Sequence, residues 1–564
     1  MTDQAPAPSA AAASTRAARL RILPGLTRRN WSQEAIAGIT LAAIAVPLNI
    51  GYAQVAGLPP TAGLYSLIVP AAVFAVLAST RQLIASPDAA AAALISSALI
   101  GLAAAGSREY IALSLAQAMI AGVMFLAVGA FRLGFLANFL SEPILVGFVG
   151  GLALDILVSQ IAKMLGVHVN SGDDFIPRVG ELFGGIAATN VWSVAIAVGS
   201  IAILVAGRRI ARRIPWALVV LILTTLVLVV AGLDKDGVRV LGHVDAGPPV
   251  LTWPELSFSR WVQLIPSAFA LVLVTMAEGL LVARNYAEKR GYRVSANRDL
   301  IAFGGANILS GLTGGFTIGS SASRTAAMDQ AGSRTQLPAI VAAAITLALL
   351  IFGTALLADI PSPAIGAIIA VAVVPLLGFR DFARLWRLRK FEFAVAAACF
   401  LGSLLLGPIV GIVIAFFLSL INLAERASHP PVDVLSIGDG PSASLRGTKS
   451  DAVLTAPGVA VIRFAAPVFF ANAVVFTDSV HRAVELGVAQ GLKHLVLDCE
   501  AITDVDVTAA KAIGEAAAWV RSRGVSFDYS RVRGELKSVL DRFDLVGEAR
   551  IFETNRAAES ELSG

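Results

Sequence analysis

Long apolar runs, separated by short polar or basic stretches, set the pattern of the first three quarters of the chain. A helix crosses a bilayer core with about 20 apolar residues. On that rule the pattern predicts fourteen spans: 33–56, 62–79, 87–105, 110–130, 143–166, 189–206, 215–232, 261–284, 299–312, 321–332, 338–358, 363–377, 391–407 and 409–427. The 299–312 and 321–332 spans are too short to cross alone and, with the Gly-rich stretch between them, form one discontinuous unit. The first and eighth spans start 228 residues apart, at 33 and 261, and two breaks near 87 and 322 are 235 apart. That near-equality predicts two halves of seven, about 31–232 and 261–427. An odd count per half inserts the second upside down, which gives an inverted repeat.

The pattern changes after Ala427. Ser428-His429-Pro430-Pro431 and Gly438–Ser442 mark a linker over 428–457. Strand-like runs at 459–464, 494–497 and 525–529 then alternate with helical periods at 473–490, 508–521 and 535–543. This alternation predicts a small α/β domain over 458–560.

Composition fixes the class. The chain is 56% hydrophobic and 15% charged, against about 25% charged in soluble domains, so the reading is an α-helical polytopic membrane protein. Residues 1–21 lack the apolar core of a signal peptide, and 1–24 are expected to form a disordered cytoplasmic tail. The net charge of +5 follows topology. Arg208, Arg209, Arg212 and Arg213 fill one loop; Arg284, Lys289, Arg290, Arg293 and Arg298 a second; Arg380, Arg384, Arg387, Arg389 and Lys390 a third. The opposite-side loop with Asp173, Asp174 and Glu181 has only Arg178. This positive-inside pattern predicts an inner (plasma) membrane protein with both termini cytoplasmic. Nucleic acid is not an expected partner, since no basic face is set apart from that pattern. Cys399, Cys499 and the five histidines have no disulfide or metal-ligand spacing. No cofactor or metal is expected. No nucleophile–base pair or phosphate loop argues for an enzyme.

The two breaks carry the candidate chemistry. One reads Arg81-Gln82-Leu83-Ile84-Ala85-Ser86-Pro87-Asp88; the other runs from Thr313 through Gly319, Ser320, Ser321, Ala322 and Ser323 to Arg324. Irregular backbone at membrane depth survives only against protein or a water-filled cavity, and matched breaks point to a transporter's binding site. At the second, a helix start offers free N–H groups and a positive partial charge. Hydroxyls from Ser320, Ser321 and Ser323 and the forked guanidinium of Arg324 converge with it on an anion. At the first, Ser86 reads as N-cap and Pro87 as first helical residue. Asp88 suits the helix dipole but repels an anion. Glu278 lies in the apolar run Ala270–Leu281. It is read as the site of a coupling proton, as a carboxylate paired with Arg324, or as a sodium ligand. Asp155 and Lys163, two turns apart, are read as a polar helix contact and a snorkelling lysine.

These residues resemble a known family. The stretch Pro59-Pro60-Thr61-Ala62-Gly63-Leu64-Tyr65-Ser66, with Pro70, Ser79-Thr80-Arg81-Gln82 and Pro87, resembles the sulfate permease (SulP) signature. Gly319–Arg324 followed by Gly332–Gln336 resembles its tenth helix, and Met276-Ala277-Glu278-Gly279 its eighth. The resemblance implies a uracil-permease-like seven-plus-seven fold, an elevator-like motion and a homodimer. It implies an anion bound between the third- and tenth-helix starts by Tyr52, Ser321, Ala322, Ser323 and Arg324, with Glu278 tied to proton coupling. Leu497–Ala509 resembles the strand-to-helix turn of a STAS domain, in which Thr508 occupies a phosphorylated position of anti-sigma factor antagonists; here it is read as a phosphosite or simply a helix cap. Two positions depart from the family: Pro47-Leu48-Asn49 stands where many members have Pro-Gln, and Ser86-Pro87 where many have Gly-Pro. The expected function is secondary active, proton-coupled sulfate transport. Dicarboxylate or bicarbonate carriage, an anion channel and a membrane-anchored STAS signalling scaffold are the alternatives. The expected partners are a small inorganic or carboxylate anion, a proton or sodium as coupling ion, membrane lipid and a second copy of the chain.

Overall fold

In the computed structural model, residues 23–135, 142–169, 175–211, 214–435 and 454–563 are described. Most of the expected tail, much of the expected linker, and Asp173, Asp174, Arg212 and Arg213 lie outside them. The chain divides into Met1–Ser419 and Leu420–Gly564.

The first unit is helical. It runs α1 (Trp31–Val55), α2 (Pro60–Tyr65), α3 (Val69–Leu77), β1 (Ala85–Ser86), α4 (Ala89–Leu99), α5 (Arg108–Ala130), α6 (Glu142–Leu165), α7 (Phe175–Gly184), α8 (Val191–Ile210) and α9 (Trp216–Ala231). It continues through α10 (Phe258–Gln263), α11 (Ile265–Arg290), α12 (Ala296–Leu312), β2 (Gly319–Ser320), α13 (Ala322–Gln330), α14 (Leu337–Phe352), α15 (Ala355–Ala358), α16 (Ser362–Val373), α17 (Phe379–Leu388) and α18 (Lys390–Leu405) into α19 (Pro408–Ser428). Among the described residues, six helical stretches of 18 residues or more are apolar enough to cross a membrane. Small residues let these helices close on one another. A Cβ on Gly122 of α5 would lie 2.8 Å from the Gly304 carbonyl of α12, and one on Gly304 would lie 2.9 Å from the Gly122 carbonyl.

Several expectations are corrected. The 62–79 run is two helices, α2 and α3, with Pro70 in the first turn of the second. The 87–105 run is helical only over Ala89–Leu99, a half-span of 11 residues. Its N-cap is Asp88, not Ser86, so Pro87 is outside the helix. The basic 380–390 stretch is the amphipathic helix α17 rather than a loop.

The second unit carries a five-stranded sheet, ordered β3 (Val432–Val434), β4 (Val459–Phe464), β5 (His494–Asp498), β6 (Ser526–Ser530) and β7 (Ile551–Phe552). All neighbours are parallel except the β3–β4 edge pair. Helices α20 (Ala473–Val488), α21 (Val507–Ser522), α22 (Gly534–Arg542) and α23 (Asn555–Leu562) complete it. Part of the expected linker is therefore sheet: Val432 pairs with Phe464. The fully buried carboxylate of Asp498 accepts bonds from Arg463 at 2.8 Å and Asn555 at 3.1 Å, tying the ends of β4 and β5 to α23.

Candidate functional site

The two breaks meet. β1 and β2 pair antiparallel, Ala85 opposite Ser320 and Ser86 opposite Gly319. Buried side chains satisfy the irregular backbone around them, as apolar surroundings require. Asn307 accepts from the Ile318 N–H at 2.9 Å and donates to its carbonyl at 3.2 Å. Ser66 accepts from Phe316 N at 3.0 Å. Gln336 donates to the carbonyls of Leu83 at 2.8 Å and Thr80 at 3.2 Å, and Thr325 Oγ1 accepts from Ile84 N at 3.0 Å.

This pairing brings the starts of α4 and α13 together, but the two starts differ. At α4, the Asp88 carboxylate caps its own helix, accepting from Ala91 N at 2.7 Å. Its other oxygen faces Gly319, where a Cβ would stand 2.3 Å away. At α13, Ser321 is the N-cap, and its hydroxyl accepts a 3.4 Å bond from Arg324 N. Ala322 and Ser323, the first two helical residues, have exposed side chains, and the N–H groups at such positions have no helical partner.

Arg324 is 1% exposed. One guanidinium nitrogen donates to Ser86 Oγ, the cation lies 5.7 Å from the Tyr52 ring centroid, and Nε is buried without a protein partner. Tyr52 reaches the site from α1. The sequence-read set Tyr52, Ser321, Ala322, Ser323 and Arg324 is thus one cluster. Sequence reasoning missed two members: Ser86 as the Arg324 acceptor, and Asp88 as the α4 cap.

Glu278 lies on α11 beside the cluster. Its neighbour Gly279 would bring a Cβ within 3.4 Å of Ser320 Cβ. No ion pair joins it to Arg324 among the described residues, which corrects that expected alternative. The Asp88 carboxylate lies near enough to act electrostatically on both Glu278 and Arg324. Asp155 and Lys163 do not pair: Asp155 accepts from Arg178 at 2.7 Å, and Lys163 donates to Gln54 at 3.0 Å.

Thr508 is exposed at the second position of α21 and does not cap it. The cap is Asp506, which accepts from Ala509 N at 2.7 Å. A phosphate on Thr508 would therefore meet a helix end that already holds a carboxylate.

Comparison with known proteins agrees with this architecture. The sulfate permease family matches residues 32–399 and the STAS domain matches 452–558. A probable sulfate transporter of Mycobacterium tuberculosis is 34% identical over 531 residues, 93% of this chain and 94% of the relative. Sulfate transporter 3.1 of Arabidopsis thaliana is 29% identical over 551 residues, 93% of this chain and 83% of the relative. The fold resembles the murine solute carrier 26 family member A9 anion transporter in its inward-facing state, with TM-score 0.85 at 22% identity, covering 100% of this chain and 96% of that one. The transmembrane domain of the cyanobacterial bicarbonate transporter BicA gives TM-score 0.60 at 22% identity over 71% of this chain and 99% of that one. The chain belongs to the sulfate permease family of integral-membrane transporters and carries a C-terminal STAS domain.

Proposed function

We propose that the protein is a secondary active, proton-coupled anion transporter of the inner (plasma) membrane, with sulfate as its leading substrate. The observation that carries this reading is the meeting of the α4 and α13 starts at a buried arginine whose Nε has no protein partner. The anion docks on the N–H groups of Ala322 and Ser323, the hydroxyls of Ser321 and Ser323, and Arg324, with Tyr52 as the wall. The relatives named as sulfate transporters support sulfate over other oxyanions.

Coupling follows from charge. Asp88 and Glu278 both bring carboxylates to the cluster, so a dianion enters against them. A proton on Glu278 removes one of those charges, and each ligand then favours binding of the other by the same factor. The fourteen-span, seven-plus-seven inverted repeat over 31–232 and 261–427 supplies two bodies for an elevator-like motion within a transport domain of 25–427. Both termini and the STAS domain, about 458–560 with β3 as its edge strand, lie in the cytoplasm, and two copies form a homodimer.

The test is reconstitution. Labelled sulfate is expected to accumulate in proteoliposomes against its gradient when an inward proton gradient is imposed, and to saturate. Bicarbonate and dicarboxylates are run as competitors; displacement of sulfate by either at lower concentration than unlabelled sulfate shifts the substrate assignment. Arg324→Ala should raise KM by about a hundredfold, as expected for losing a buried charge-assisted contact of roughly 3 kcal/mol. Unchanged transport in that variant would refute the site.

A further inference from the structure

A cavity of about 290 Å³ opens where the last turn of α1, the far end of α6 and the start of α16 converge. Gln54, Lys163, Arg239 and Ser362 supply its polar lining, and Leu58 and Val167 an apolar wall. The packing around it is close. A Cβ on Gly366 of α16 would lie 3.2 Å from the Gln160 carbonyl and 3.3 Å from Lys163 Cβ, so α16 rests directly on α6 beside the lysine. The backbone carbonyl of Arg239 accepts from Ser362 N at 2.8 Å, which fixes the loop after α9 to the start of α16.

Two cations line this cavity, and no carboxylate pairs with either among the described residues. The bond recorded for Lys163 goes to a neutral amide, Gln54 Oε1, at 3.0 Å. A half-buried ammonium is ordinarily matched by a counter-charge. Here a mobile anion can supply it. Gln54 follows Tyr52 by two residues on α1, so the cavity adjoins the end of the helix that brings Tyr52 to the transport site.

The side of the membrane follows from α6. Its first residue, Glu142, is bonded to Arg384 of the basic helix α17, and basic stretches mark the cytoplasmic side. Its 24 residues rise about 36 Å, which carries Lys163 to the outer side.

We propose that this cavity is a second anion site, an outward-facing station where Lys163 and Arg239 gather an oxyanion before it passes to the site at Arg324. The proposal rests on the transport reading for its direction, though not for its binding. Two fixed cations with room for a hydrated oxyanion raise its local concentration and speed its entry. Such steering weakens with ionic strength.

The first measurement uses full-length protein in sided proteoliposomes. Replacing both cations, as Lys163→Gln with Arg239→Gln, should raise KM for sulfate offered from the outer side by about tenfold, the scale of two screened charges on a dianion. The maximal rate and the KM for efflux from the other side should stay within twofold, and Lys163→Arg should restore the outer KM. An equal KM shift on both sides, or none, overturns the proposal.

The second measurement does not depend on transport. Cys399 and Cys499 are buried, so Ser362→Cys gives a reporter thiol in the cavity. In an Arg324→Ala background, an anionic methanethiosulfonate should label it about tenfold faster than a cationic one. Inorganic sulfate should slow that labelling, and removing the two cations should abolish both effects. Equal rates for the two reagents, or no protection by sulfate, overturns the proposal. Failure of the transport reading shows differently, as no accumulation in the unsubstituted protein, and leaves the labelling result standing.

Discussion

Gly319→Ala tests whether the Asp88 carboxylate is what the paired breaks are built around. Gly319 lies outside the left-handed region, so alanine meets no backbone penalty there and the effect is steric. The added Cβ would stand 2.3 Å from Asp88 Oδ2, about 1 Å inside the 3.4 Å at which ordinary contact begins, while Thr275 Oγ1 lies at that limit. Either Gly319 shifts and strains its pairing with Ser86, or Asp88 turns away and gives up its 2.7 Å bond to Ala91 N. Overpacking costs about 1–3 kcal/mol and a lost cap about 1 kcal/mol. The assay is a double-mutant cycle on unfolding midpoints in detergent, read beside labelled-sulfate binding. Gly319→Ala should destabilise by roughly 1–3 kcal/mol in the native background. It should cost close to nothing once Asp88→Ala has emptied the space, because the two residues act as one unit. An equal cost in both backgrounds would refute the reasoning.

Glu278→Gln should uncouple sulfate uptake from the imposed pH gradient while leaving counterflow exchange; full gradient-driven uptake in that variant removes Glu278 as the proton site. In the STAS domain, burial works against ionisation of Asp528, but bonds from Arg550 and Ser526 outweigh it and hold the carboxyl below its ordinary range. His494 is held below the ordinary 6.5 by burial and by the Arg550 charge. Both shifts make the unfolded state bind more protons on acidification. The neutral His494 contribution is lost as pH falls below 6.5, and the Asp528 contribution as pH falls further, through the folded-state pKa of that carboxyl. Amide protection in β5 and β6 of the full chain, taken against the intrinsic exchange rate at each pH, should fall in those two steps, and protection independent of pH between roughly 8 and 2 would contradict the assignment, these limits bracketing the ordinary histidine and aspartate pKa values.

The helices announce themselves through length and apolar period, and the 299–332 unit is legible because glycines and a Ser cap interrupt an otherwise apolar stretch. What escaped reading depends on partners far away in sequence. Ser86-Pro87 is the stronger local start signal, yet Ser86 is held in β1 by its pairing with Gly319, which delays the helix until Asp88. The bond from Arg324 to Ser86 crosses 238 positions, and no local pattern encodes it. β3 is three residues long and has meaning only against β4. The helix α17 was hidden by its arginines, which read as a loop, although Phe382, Leu385 and Trp386 recur at helical spacing and Phe382 and Trp386 both pack on Phe393.

The unequal helix ends bear on why a proton would accompany the anion. Two bare N-termini and an arginine would hold a dianion strongly enough to slow its release. In this protein one end is already filled by Asp88, which bonds α4's own N–H groups, and Arg324 spends part of its donor capacity on Ser86. The fixed charges nearest the site, Arg324 against Asp88, then cancel before Glu278 is counted. On the proposed reading, attraction for the substrate falls to the open end at Ala322 and Ser323 and to the remaining guanidinium donors. In the proposed mechanism such a site binds a dianion weakly while Glu278 is ionised and better once it is protonated. That difference is the linkage a symporter requires, and a carrier also needs the weaker state in order to let its substrate go.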